Sequence, residues 1–150
     1  MWFSNKGPQA VALVAGGSQA PCLSGLVKFC RTKHGVLVTA DICGLPVSQT
    51  GVFALHIHEG ATCGGKDFSE TGGHYNPSRM PHPMHAGDLP PLFSCHGRAF
   101  LSVLTDRFCI EDVVGKTVVI HGDPDDFHSQ PAGNAGTKIA CGVICAGETC

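Results

Sequence analysis

The chain has 150 residues, of which 43% are hydrophobic and only 15% charged, and its formal net charge is −2. That size and apolar content predict one domain over residues 1–150 that buries roughly 68–70% of its unfolded surface. The charge balance leaves no basic footprint for phosphates, which disfavours nucleic acid, and no apolar run is long enough for a membrane span or a signal-peptide core, so a cytoplasmic location is expected, with export the alternative if the N-terminus is incomplete.

Nine cysteines are present, an odd number that leaves at least one thiol free or paired between molecules. None forms a Cys-x-x-Cys pair, so a thiolate zinc site has little support and the nine histidines are the better candidates for metal ligands. Without an export signal, most cysteines are expected to be reduced and to pack as small hydrophobes.

Taken in order, Met1 to Pro8 carries no periodic pattern, and residues 1–8 and 145–150 are expected to be loose termini, with Trp2 either free or docked on a neighbour. Ala10-Val11-Ala12-Leu13-Val14-Ala15, between Pro8 and Gly16-Gly17, reads as a first strand. Gly25 to Cys30 and Gly35 to Ile42 read as a hairpin across Arg31-Thr32-Lys33-His34, closed by Gly44-Leu45-Pro46. The fourth strand is Val52 to Glu59, where alternation places Phe53, Leu55 and Ile57 on one face and Ala54, His56 and His58 on the other.

Periodicity then stops for about thirty residues, a length that marks a functional loop or disorder in a compact domain. This stretch holds Cys63, His74, His82, His85 and Asp88, with glycines and prolines that turn the backbone. Strand-like runs return at Leu92-Phe93, Arg98 to Leu104 and Thr117 to His121, followed by a polar loop from Gly122 to Gly136 and a last strand from Lys138 to Ile144. Eight short strands without a helical-period segment predict an all-β sandwich or barrel.

The candidate ligands are His56, His58, His74, His82, His85, Asp88 and His121, too many for one metal. Imidazole suits copper and zinc alike, and a mixed nitrogen and carboxylate set suits tetrahedral zinc, so two neighbouring ions are the economical reading. His34, His96 and His128 read as surface histidines, and Cys22, Cys30, Cys43, Cys95 and Cys109 as core or turn thiols. Cys145 and Cys150 can pair with each other or with another chain.

The segments His56-Ile57-His58-Glu59, Gly73-His74-Tyr75-Asn76-Pro77, His85-Ala86-Gly87-Asp88-Leu89, Val119-Ile120-His121 and Gly133 to Ile144 closely resemble, in type and order, those of the copper,zinc superoxide dismutases. The resemblance covers roughly Ala10 to Ile144 and implies an eight-stranded Greek-key β-sandwich or barrel with two long functional loops. It implies copper on His56, His58, His74 and His121, and zinc on His74, His82, His85 and Asp88. Further implications are a Cys63 to Cys141 disulfide, an Asp125 carboxylate joining His56 to His82, and Lys138 beside the copper. The activity implied is disproportionation of superoxide anion to dioxygen and hydrogen peroxide by Cu(II)/Cu(I) cycling, with His74 as an imidazolate bridge that stores a proton. Family members dimerise through different surfaces, so a homodimer is implied without its face.

Three departures matter. Lys138 stands where the family usually has arginine, which keeps the charge but not the planar fork, so a slower enzyme is expected. The second loop is short, has no lysine before Lys138 and carries Asp123, Asp125 and Asp126, which weakens long-range steering of an anion. Only Pro83 and Met84 separate His82 from His85, a compressed zinc loop that makes the zinc expectation weaker than the copper one. The alternative is a copper/zinc-binding protein of the same fold with little turnover.

Overall fold

The computed structural model describes residues 7–147. Nine extended segments follow one another: β1 (Ala10–Gly16), β2 (Ser24–Thr32), β3 (Gly35–Cys43), β4 (Val52–Phe53), β5 (Leu55–His58), β6 (Leu92–Phe93), β7 (Ala99–Thr105), β8 (Thr117–His121) and β9 (Lys138–Ala146). Eight were expected, and the difference arises at Ala54. There the strand changes partners, β4 pairing with β6 and β5 with β8. The Ala54 backbone turns to the loops, its N–H donating to Asp123 O at 3.0 Å and its carbonyl accepting from His121 N at 2.9 Å.

Seven strands form one antiparallel sheet in the order β5-β8-β9-β1-β2-β3-β7. The hairpin of β2 and β3 is as expected, closing from Ser24 opposite Cys43 to Thr32 opposite Gly35. The connections β3 to β5 and β7 to β8 carry the chain between opposite ends of this order, the crossings of a Greek key. Because β4 runs into β5 and β6 packs against β7, the two-stranded β4–β6 ladder joins the two edges and curls the sheet into a barrel.

Period-two alternation builds the core: Ala10, Ala12 and Val14 from β1, Val27 and Phe29 from β2, and Val36, Val38, Ala40 and Ile42 from β3 all point inward. β5 and β8 differ, since every residue in both is buried. Their inner face meets the core through Leu55, Ile57, Val118 and Ile120. Over β5 the long loop folds back, Ile57 N donating to Gly87 O at 2.8 Å and Tyr75 N to Ile57 O at 2.8 Å. The histidines on that face are therefore enclosed.

Several expectations are corrected. A single helical turn, α1 (Ile110–Val113), lies between β7 and β8, too short to show a 3.6-residue period, and Lys66–Thr71 contains 3₁₀ turns. Cys145 and Ala146 belong to β9, opposite Val11 and Ala10, and not to a loose tail. The other expectations for the termini, including Trp2 and the pairing of Cys145 with Cys150, fall on or reach residues outside those described. Cys22, Cys43, Cys95 and Cys109 are exposed and Cys30 half-buried, so these free thiols are not core residues, while Cys22 lies in a turn as one alternative had it. Cys43 follows the inward Ile42 and so faces outward, and Cys109 precedes the helical turn. Among the described residues no helix is long and apolar enough to cross a membrane.

Candidate metal centre

β5 supplies His56 and His58 from its outer face, and β8 supplies His121 at its end, where the ladder to β9 shifts register between Ile120 and His121. The long loop reaches the same wall, with His74 bridging to His58 and Asp88 to His56 as isolated strand-like pairs. Two groups result. His56, His58, His74 and His121 each offer a ligand atom, all within 4.8 Å of one another, and so do His74, His82, His85 and Asp88. His74 is common to both.

Acceptors around the rings decide which nitrogen faces inward. His58 Nδ1–H donates to Gly72 O at 2.9 Å and His121 Nδ1–H to Gly136 O at 3.2 Å, which turns their Nε2 atoms toward each other, 3.2 Å apart. The Asp125 carboxylate accepts His56 Nε2–H on one oxygen and His82 Nε2–H on the other, both at 2.8 Å. His56 and His82 are thus left with Nδ1 facing their groups. Hydrogen bonds on the far nitrogen fix tautomer and ring orientation in this way. His74 differs: Nδ1 lies 2.8 Å from Asp88 Oδ1 and 3.3 Å from His85 Nδ1, while its ring centre is 4.0 and 4.9 Å from those of His56 and His58 and its Nε2 is buried without a hydrogen-bond partner. One imidazole presents one nitrogen to each group.

Among the described residues three buried ring nitrogens have no hydrogen-bond partner, His56 Nδ1, His74 Nε2 and His82 Nδ1, the last lying 3.0 Å from Asp88 Oδ2 without hydrogen-bond geometry. An unpaired buried polar atom costs about 1–3 kcal/mol. All three belong to the two groups, where a cation would accept their lone pairs, so the donor set fits the two metals that the resemblance implies: all-imidazole for copper, three imidazoles and a carboxylate for zinc.

Burial, only partly opposed by the Gly72 hydrogen bond, pushes the His58 imidazole down to about 2, and burial with the charge of His56 pushes His121 down to about 3. Burial also lowers His56 and His85. For Asp88 and Asp125 burial works upward, but hydrogen bonds from His74 to the first, and from His56 and His82 to the second, more than reverse it and hold both carboxyls below their usual range. Imidazoles with folded values below 6.5 bind protons more readily in the unfolded chain, so their contribution is present above pH 6.5 and is lost as pH falls toward the folded values. The carboxylates add a further loss below 3.8. Thermal unfolding of the metal-free protein is therefore expected to shift steadily downward between pH 6.5 and 4, at up to about 1.4 kcal/mol per pH unit per imidazole. A flat midpoint over that interval contradicts this.

Cys63 and Cys141 form the expected disulfide, tying the loop to β9 across 78 residues. Closing such a loop is worth about 4–5 kcal/mol in the chain-entropy estimate. Lys138, opposite His121 on β9, donates to Thr71 Oγ1 at 2.8 Å and to Gly72 O at 2.9 Å, the same carbonyl that holds His58. Its ammonium and a candidate copper ligand thus share one carbonyl acceptor. His34, His96 and His128 are exposed and belong to neither group, as expected.

Three supporting residues escaped sequence reasoning. Gln130 brackets His82, accepting its backbone N–H at 2.9 Å and donating to its carbonyl at 2.8 Å. Arg107 donates to Pro83 O at 2.9 Å and His85 O at 3.2 Å, which steadies the short His82 to His85 link. Gly133, at φ +68, lies where a Cβ would come within 2.1 Å of Asp125 Oδ1 and 2.7 Å of His82 Nε2. Only glycine leaves room there, and a glycine at that place in the second loop was the one available signal.

A curled antiparallel barrel whose wall carries two adjoining ligand groups, joined through one imidazole, defines a class of protein with paired metal sites. The family profile described as copper/zinc superoxide dismutase (SODC) matches residues 23–144. A superoxide dismutase [Cu-Zn] 1 of Aquifex aeolicus (strain VF5) is 36% identical over 135 residues, covering 80% of this chain and 79% of that protein. The superoxide dismutase [Cu-Zn] of Legionella pneumophila is 35% identical over 83% of this chain and 79% of its own. That of Caulobacter vibrioides (strain ATCC 19089 / CIP 103742 / CB 15) is 32% identical over 90% and 84%. The chain belongs to the copper/zinc superoxide dismutase family.

Proposed function

We propose that this protein is a superoxide dismutase, built as one domain, with copper held by His56, His58, His74 and His121 and zinc by His74, His82, His85 and Asp88. The observation that carries the reading is His74, which turns Nδ1 to one ligand group and Nε2 to the other. When bound, copper supplies the one-electron chemistry that converts two superoxide anions to dioxygen and peroxide, and zinc supplies a redox-inert charge. His74 Nε2 is the atom that holds a proton between the two halves of the reaction and delivers it to the second anion. The Asp125 bonds keep the His56 and His82 rings aimed inward. Lys138 draws the anion to the wall beside His58 and His121 and coordinates nothing. Metal content per chain together with a superoxide assay tests the reading: turnover with both metals supports it, and full metal content without turnover supports instead a copper/zinc-binding protein.

Lys138→Ala is expected to lower the rate constant several-fold and flatten its dependence on ionic strength, with copper content unchanged, since one attractive charge is lost. An unchanged rate removes Lys138 from the mechanism.

For assembly the reading is a homodimer. Phe93 on β6 and Phe100 on β7 are 71% and 68% exposed, and large apolar residues left in water mark interaction faces. Sedimentation that reports only monomer at high concentration excludes it. For location the reading is cytoplasmic, supported by the four exposed free thiols, which suit a reducing compartment.

A further inference from the structure

Arginine can hold an anion with one part of its planar fork while the rest is anchored, but a lysine ammonium sits on a flexible stem and has to be fixed by its surroundings. Lys138 is so fixed. Of its three N–H bonds, one goes to Thr71 Oγ1 at 2.8 Å and one to Gly72 O at 2.9 Å, and a third remains for an anion. Thr71 is fully buried, and its own hydroxyl proton goes to Phe68 O at 2.8 Å, so the oxygen lone pairs are oriented toward the ammonium.

The two partners are far apart in sequence but mechanically coupled. Thr71 ends the 3₁₀ segment that follows Cys63, and Lys138 begins β9, which contains Cys141. The same segment is pinned by Phe68, whose ring lies so close to Gly17 that a Cβ there would come within 2.9 Å of it. The Gly72 carbonyl serves Lys138 and His58 together, so the ammonium's position is set relative to a candidate copper ligand.

We propose that Thr71 is a positioning residue for Lys138: its hydroxyl, with the Gly72 carbonyl, clamps the ammonium and gives this lysine the fixed orientation that a guanidinium has by its own geometry. The inference rests on the superoxide reading for the purpose of the clamp, but not for its existence.

The test uses the metal-loaded protein and the variants Thr71→Val, Thr71→Ser and Lys138→Ala. First, acylation of Lys138 by an amine-reactive ester at one fixed pH is followed by mass spectrometry, with Lys28 and Lys33 as internal standards. Thr71→Val is expected to speed Lys138 labelling about fivefold, the factor for one ordinary hydrogen bond, and Thr71→Ser to leave it as in the parent. Equal labelling in parent and Thr71→Val overturns the clamp, whatever the activity. Second, the superoxide rate constant at low salt is expected to fall in Thr71→Val but not to fall further when the same change is made in Lys138→Ala. A drop of the same size in both backgrounds, with reduced metal content, shows that Thr71 only supports the loop and overturns the proposal. Absence of superoxide turnover in every form defeats the functional reading alone, since the labelling result stands by itself.

Discussion

Replacement of His74 by alanine is expected to release both metals together and to bring superoxide turnover to the uncatalysed level. His74 is the one residue in both ligand groups, with Nδ1 beside Asp88 and His85 and its ring against those of His56 and His58. Under the proposed assignment its loss leaves each group with three candidate ligands and removes the atom proposed to hold the proton. Metal analysis of the purified variant decides the matter: zinc retained at one per chain would show that His74 is not a shared ligand. A survey at the other ring positions sharpens the contrast, since His121→Ala is expected to lose copper and keep zinc.

The second large effect is expected at Asp125. This carboxylate touches neither group's inward nitrogens, yet it accepts His56 Nε2–H and His82 Nε2–H at 2.8 Å each, and Phe127 N–H at 2.7 Å. Asp125→Ala leaves the two ring donors buried without an acceptor and frees both rings to turn. Partners of this kind are typically worth about 10–100-fold in metal affinity. Because the bond links one ring of each group, both affinities are expected to fall, zinc more steeply, since His82 is held by a link of only two residues to His85. Asp125→Asn separates geometry from charge: its amide fills the same space but can accept only one of the two ring N–H bonds, so it is expected to restore one metal site and not both. Parent-like binding of both metals by Asp125→Asn would show that the linkage has no functional weight.

Much of the site was legible in the chain because a strand repeats every two residues. His56 and His58 share a face for that reason alone, and Leu55 and Ile57 share the other. Glycine and proline punctuation marked the hairpin of β2 and β3, and the alternation of Val36, Val38, Ala40 and Ile42 set which side of β3 is core. What escaped depended on contacts between distant segments. Nothing in Ala54 itself breaks a strand; it breaks because Asp123 and His121 compete for its backbone. The helical turn at Ile110–Val113 is shorter than any periodic signal.

The candidate site divides along the same line. By itself the sequence determined the inventory and its order: the His-x-His pair on one strand, the loop rich in histidine, the Asp125 and Lys138 positions, and the resemblance these carry. Only the tertiary structure decided which nitrogen of each ring faces inward, because that depends on acceptors contributed by Gly72, Gly136 and Asp125 from other segments. It also brought Thr71 to Lys138 across 67 residues. Residue type sets what a side chain can bind, whereas the hydrogen bond that orients it belongs to whichever distant backbone the fold places beside it.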